Sequence, residues 1–214
     1  MAINTYATLV TAVDNWLARS DLTARTPEFI ALAEAKFNRE LRCRQMEQRS
    51  TATVNTAATE PEFIALPGDF HTMRRVRLSS VTGKPRLGFL SGTQMDEQRY
   101  SDSNTTGRPQ HFTIFGDEME LLPTPDSAYT IEMVYRKYIP ALTSDNTTNW
   151  LLTLAPDLYL YGALMEAAPY MHEDERIATW ASGVTGALNG LNEMSLDASF
   201  NAGPVHMRAS GPTP

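Results

Sequence analysis

Apolar residues recur at steps of three and four at both ends of the chain and at steps of two in its middle. From Thr5 onward, Tyr6, Leu9, Val10, Val13, Trp16 and Leu17 form one apolar helical face, with Asp14, Asn15 and Arg19 off it. The stretch "TPEF" predicts a second helix start. Thr26 is placed as N-cap, Pro27 at the first helical position and Glu28 at the positive end of the dipole. Phe29, Ile30, Ala33, Phe37 and Leu41 carry that stripe to about Arg44.

After Gln48 the period changes. "STATVNTAAT" is β-branched and has no helical stripe, and a Pro-Gly-Asp turn follows "EFIAL". "TMRRVRLSS" alternates Met73, Arg75 and Arg77 against Arg74, Val76 and Leu78, which predicts a strand with one mostly apolar face. Residues 91–100 read as a short helix capped by Ser91 or Thr93. "HFTIFGDEMELLP" predicts a hairpin whose two-residue turn, Gly116-Asp117, is of the type that favours glycine first. "AYTIEMVYRKYIP" sets Tyr129, Ile131, Met133 and Tyr135 against Thr130, Glu132, Val134 and Arg136, and is expected to add a third strand to the same sheet.

From Asn149 the helical period returns. Leu151, Leu154, Leu158, Tyr161, Met165 and Ala168 lie on one stripe, widened by Tyr159, Gly162 and Leu164 until the helix must be covered on several sides. Pro169 is expected to end or kink it. Ile177, Trp180, Val184, Ala187, Leu188 and Leu191 mark a last helix, and the Pro- and Gly-rich stretch after Asp197 reads as an extended tail. The pattern predicts an α+β fold. N- and C-terminal helices (1–48 and 143–196) form a bundle, residues 49–142 a mainly antiparallel β domain with one short helix, and residues 197–214 an extended tail.

Composition narrows the function classes. With 42% hydrophobic and 20% charged residues the chain is globular, and its formal charge of −7 argues against a general phosphate-backbone binder. A lone cysteine, Cys43, permits no internal disulfide and is expected as a buried thiol made in a reducing compartment. No basic-then-apolar leader opens the chain and no run of 18 apolar residues occurs, so a soluble protein made in the cytoplasm is expected.

Candidate chemistry is sparse. His71, His111, His172 and His206 have no second His or Cys at ligand spacing, so no zinc site is predicted, and no G-x-S-x-G elbow occurs. Gly183, Gly186 and Gly190 lack dinucleotide-loop spacing and are assigned to close helix packing. Glu118 and Glu120 share a strand face, the arrangement of a carboxylate pair in a glycoside hydrolase and equally of any half-exposed strand. Glu173, Asp174 and Glu175 open the last helix, where the dipole stabilises anions without a further role. Arg39, Arg42, Arg44 and Arg49 cluster near the end of the second helix, and Arg74, Arg75 and Arg77 on a strand. A solvated face is the default reading of such clusters, and in an acidic chain they also suggest contact with an acidic partner or with another copy.

The order of five segments carries a resemblance. "YATLVTAVDNWLAR", "TPEFIALAEAKFNRELR", "FIALPGDFHTMRRVRL", "GRPQHFTIFGDEMELLPTPDSAYTIEMVYRKYIPAL" and "NTTNWLLTLAPDLYLYGALMEAAPYMHEDERIATW" together resemble the head-to-tail adaptor proteins of tailed bacteriophages, of the tail-tubular-protein-A type. The more specific phrases are "ALPGDF", "ELLPTP" with its following strand, and "NWLLTLAPDLYLYGALMEAAPYM". The resemblance implies a structural protein of the virion neck, assembled in the host cytoplasm as a ring, commonly of twelve copies. Such a ring docks beneath the portal protein, meets a downstream tail or nozzle protein, and continues the channel used in DNA ejection without sequence-specific DNA binding. It implies no catalytic residue, cofactor, metal or membrane. Interface positions are expected at Arg39, Arg42, Arg74, Arg75, Arg77, Tyr159, Met165, Val205, Met207 and Arg208. Two alternatives stand beside it: another neck or tail component, and a virion-associated hydrolase of cell-envelope polysaccharide using Glu118 and Glu120.

Overall fold

The computed structural model describes residues 2–19, 21–101, 106–171 and 174–200. In chain order its elements begin α1 (Tyr6–Leu17), α2 (Thr26–Glu40), β1 (Glu47–Thr53), β2 (Phe63–Ala65), β3 (Phe70–Leu78), β4 (Gly88–Phe89) and α3 (Gly92–Ser101). They continue with β5 (Thr106–Gly107), β6 (His111–Phe115), β7 (Glu118–Leu122), β8 (Thr124–Pro125) and β9 (Thr130–Lys137). The last are α4 (Trp150–Leu154), α5 (Pro156–Met171) and α6 (Asp174–Phe200). The class is α+β, and the chain divides into two compact units, residues 1–45 with 139–214 and residues 46–138.

In the helical unit α5 packs against α1, α2, α4 and α6, which accounts for its wide apolar surface. Leu158, Tyr159, Leu160, Ala163, Leu164, Ala167 and Ala168 are all buried. Gly162 permits the approach of α2, since a Cβ there would stand 2.5 Å from Phe37 Cζ. Helix α1 is closed at its start by a reciprocal cap, the Thr5 hydroxyl accepting from Thr8 N–H and the Thr8 hydroxyl from Thr5 N–H. Thr26, expected as the cap of α2, lies instead within the helix, after Arg25, and its hydroxyl donates to Asp14 Oδ1 at 2.8 Å. That tie joins α1 to α2.

The stripe beginning at Asn149 is two helices rather than one. Ala155 adopts φ −140°, ψ 72° because the following Pro156 has no N–H and crowds its predecessor out of the helical region. Pro156 then serves as the first residue of α5. Pro169 lies inside α5, which continues to Met171. The last helix runs to Phe200, past the Asp197 expected to begin the tail, and residues 201–214 lie outside the described residues.

The β unit contains a three-stranded antiparallel sheet, β1-β9-β3, a four-stranded sheet, β2-β7-β6-β4, and a short parallel pair, β5-β8. The hairpin β6–β7 pairs Phe115 with Glu118 across Gly116-Asp117, and Gly116 takes φ 55° as a glycine-first turn requires. Strand β9 does not extend the hairpin's sheet as expected. Pro123 and Pro125 supply no ladder donors, residues 124–125 pair with β5, and β9 enters the other sheet between β1 and β3. A register shift between Met73 and Arg75 marks a bulge in β3. It carries Met73 to the core side with Val76 and Leu78, away from Arg75 and Arg77, with which simple alternation had grouped it. Both larger sheets contribute to one core that includes Val76, Leu78, Phe112, Met119, Leu121, Ile131 and Met133. Helix α3 buries Met95 and is capped by Ser91, whose hydroxyl accepts from Gln94 N–H while Gln94 Oε1 accepts from Ser91 N–H.

Candidate interaction surfaces

The sheet β1-β9-β3 has two unlike faces, set by the strand period of two. On β9, Ile131, Met133 and Tyr135 point into the core, and Tyr135 donates to Asp69 Oδ1 at 2.7 Å. Burial first, and then that hydrogen bond, push the Tyr135 phenol up to about 12. The opposite face is built around Glu132. Register places Thr51 on one side of it and Arg77 on the other, with Arg49 and Arg75 paired to the next position on this face, Val134. Arg77 Nη2 stands 2.6 Å from Glu132 Oε1, Arg49 Nη2 2.8 Å from Oε2, and Arg75 Nη2 3.9 Å from Oε1. Arg74, the bulged residue, pairs with Glu47 at 3.4 Å.

Glu132 is only 1% exposed beneath these side chains. Its hydrogen bond from Arg77, then that from Arg49, pulls its carboxyl down to about 2, so it stays ionised across any physiological range. One fixed negative charge thus holds three guanidiniums on a rigid strand platform. Of the predicted interface residues, Arg74, Arg75 and Arg77 are gathered here. Arg49 and Glu132 were legible as neighbours of the pattern but not as partners, because 83 positions separate them in the chain and only register brings them together.

Predicted interface residues of the helical unit are placed singly. Arg39 is exposed in the last turn of α2, and Arg42 is exposed with its backbone N–H donating to Asn192 Oδ1 at 2.8 Å. Met165 is half-buried and accepts at its sulfur from Lys36 Nζ at 3.6 Å. Tyr159 is fully buried, inside the core rather than on the surface of the protomer. Its hydroxyl donates to Glu34 Oε1 at 2.8 Å and accepts from Asn149 Nδ2 at 2.7 Å. Glu34 also accepts from Leu142 N–H, Asn149 Nδ2 also donates to Pro140, and Asn149 Oδ1 caps α4. This closed network fixes residues 139–149 against α2 and α5. Burial raises the Glu34 carboxyl and the Tyr159 phenol above their ordinary values. Val205, Met207 and Arg208 lie outside the described residues.

Exposed apolar groups occur in both units. Tyr161 and Trp180 stack with ring centres 5.9 Å apart, and Trp16, 48% exposed, meets Trp180 edge-on at 5.6 Å. In the β unit an open groove of about 480 Å³ runs among Phe70, Met73, Phe89, Phe112 and Ile114. Apolar residues dominate its lining.

The carboxylate pair divides in use. Glu118 is exposed, whereas Glu120 is buried and ion-paired with Arg99 of α3, a structural tie. Cys43 is buried. Among the described residues no group of three or more His, Cys, Asp or Glu could hold a metal ion, and no helix is long and apolar enough to cross a membrane. Gly183 does pack closely, a Cβ there meeting Tyr161 at 2.8 Å, but Gly186 and Gly190 face open space rather than a neighbouring helix.

A family model described as SU10 adaptor protein matches residues 4–208, nearly the whole chain. The chain belongs to the SU10 adaptor protein family. Membership agrees with the resemblance to bacteriophage head-to-tail adaptors drawn from the five segments, and gives this adaptor a phage structural character. No curated protein matches the chain.

Proposed function

We propose that this adaptor assembles as a ring, of about twelve copies by the family resemblance, between the portal of the capsid and the tail of the virion, and that its channel continues the path of the DNA. The family match over residues 4–208 carries this reading. Composition supports it, since a conduit with an acidic lumen repels phosphates and lets the genome slide, and the chain has a formal charge of −7. In this reading the partners are other copies of the chain, the portal protein and a downstream tail or nozzle protein. DNA passes without sequence-specific contact, and no enzymatic step is involved. Negative-stain imaging of the pure protein mixed with portal rings tests it. Ring-shaped density stacked coaxially on the portal is expected, and portal rings left bare at saturating adaptor would overturn it.

A further inference from the structure

The non-core face of β1-β9-β3 gathers Arg49, Arg74, Arg75, Arg77 and Arg136 against two carboxylates, Glu47 and Glu132, with no lysine among the described residues of that face. That choice of cation is informative. Guanidinium groups match carboxylates bidentately, and arginine is enriched at protein–protein contacts where lysine is depleted. Glu132, 1% exposed, offsets one of the three guanidiniums around it, and the most outward of them, Arg49 and Arg75, are 64% and 41% exposed. A nucleic-acid backbone fits the face poorly. Residues 46–138 carry twelve carboxylates and ten cationic side chains, so a long polyanion meets net repulsion where a local pair of carboxylates does not.

The same chain supplies such a pair. Residues 139–200 hold eight carboxylates and one cationic side chain, Arg176. Near the end of α6, Glu193 and Asp197 are exposed four residues apart, beside Met194 and Leu196, which are 45% and 57% exposed. They stand in the last two turns, where the helix dipole is negative, and no basic residue occupies the last turn. Arg42 and Arg44 are tied through backbone N–H groups to Asn192 and Ser195, yet neither forms an ion pair with Glu193 or Asp197 among the described residues.

We propose that the arginine face around Glu132 in one copy receives the Glu193–Asp197 end of α6 from a second copy. This assigns the two unlike surfaces of the subunit contact, and it rests on the ring reading above. A ring closed by rotation needs one surface of each kind on every copy, and opposite charges set both register and encounter rate.

Two variants test it, Arg49→Glu/Arg75→Glu and Glu193→Arg/Asp197→Arg, each checked for native circular dichroism. Sedimentation velocity is run at low ionic strength, with and without portal rings. Wild type is expected to assemble beyond a dimer and each variant alone to stay monomeric, with self-association weakened at least about tenfold. An equimolar mixture pairs the intact helix end of one variant with the intact arginine face of the other, and the two reversed surfaces are again opposite in charge, so assembly beyond a dimer should return, dissociating near 1 M salt, where the screening length is about 3 Å. If the glutamate pair does not fold, Arg49→Gln/Arg75→Gln replaces it; alone it should stay monomeric, and its mixture with Glu193→Arg/Asp197→Arg, keeping one complementary contact, should stop at a heterodimer. Variants that assemble as wild type does, or a mixture that stays monomeric, would overturn the assigned surfaces and leave the ring reading standing. Wild type that is monomeric in every condition would overturn both. Retention of wild type by double-stranded DNA at physiological salt, lost in the arginine variant, would assign the face to nucleic acid instead.

Discussion

Removing a single hydroxyl, in Tyr159→Phe, isolates the buried network of the helical unit. In the native protein Glu34, 6% exposed, has two donors on Oε1, from Leu142 N–H and from Tyr159. The substitution removes one of them and leaves the ring, packed edge-on against Phe37, in place. A hydrogen bond to a charged buried group contributes about 2 kcal/mol, so the loss should lie near that figure. With a urea dependence of about 2 kcal/mol per molar, the unfolding midpoint should fall by about 1 M. The assay is selective, because Trp16, Trp150 and Trp180 all lie in the helical unit and their fluorescence reports its unfolding. The pH dependence gives a second readout. Burial holds the folded-state Glu34 carboxyl above its unfolded value of 4.5. Its contribution to stability is therefore fullest below pH 4.5 and declines as pH rises through the folded value. Taking the Tyr159 donor away favours the neutral acid further, so the deficit of the variant should be larger at pH 8 than at pH 4. A midpoint change below about 0.2 M, or a deficit that grows toward acid, would refute the assignment of Glu34 as an acceptor held by Tyr159.

Other outcomes follow from the same geometry. Gly162→Ala puts a methyl group 2.5 Å from Phe37 Cζ and should destabilise the helical unit by about 1–3 kcal/mol in the tryptophan assay. Gly186→Ala and Gly190→Ala meet nothing within 4 Å on α6 and should each stabilise by about 0.5–1 kcal/mol. Glu132, depressed to about 2, contributes stability above pH 4.5 that is lost as pH falls toward 2. In Glu132→Gln, far-UV circular dichroism of the β unit should show no such acid slope of its own. Purified protein should not clear a cell-wall suspension, and clearing abolished by Glu118→Gln would restore the hydrolase alternative.

The sequence disclosed elements whose signals are local. The stripes of α1, α2, α5 and α6, the Gly116-Asp117 hairpin and the short capped helix at 92–101 each depend on residues within a turn or two of one another. Misreadings arose where a distant partner or a backbone irregularity decides. The bulge at Arg74 shifted Met73 to the core, a consequence of pairing with β9 that alternation within β3 does not show. The break at Ala155 was in principle readable from Pro156, but a continuous apolar stripe on both sides concealed it. Assigning β9 to a sheet requires knowing that β1 and β3 flank it, and β1 lies some eighty residues upstream. The surfaces followed the same rule. Arg74, Arg75 and Arg77 were visible as a run, while the buried Glu132 that organises them was visible only as one polar position in an alternating strand.

Native mass spectrometry of the full chain, alone and mixed with portal rings, reads the assembly state itself. A closed oligomer with a mass near twelve times that of one chain, free or bound to the portal, is the expected result. A chain that remains strictly monomeric at every concentration and never associates with the portal would contradict it.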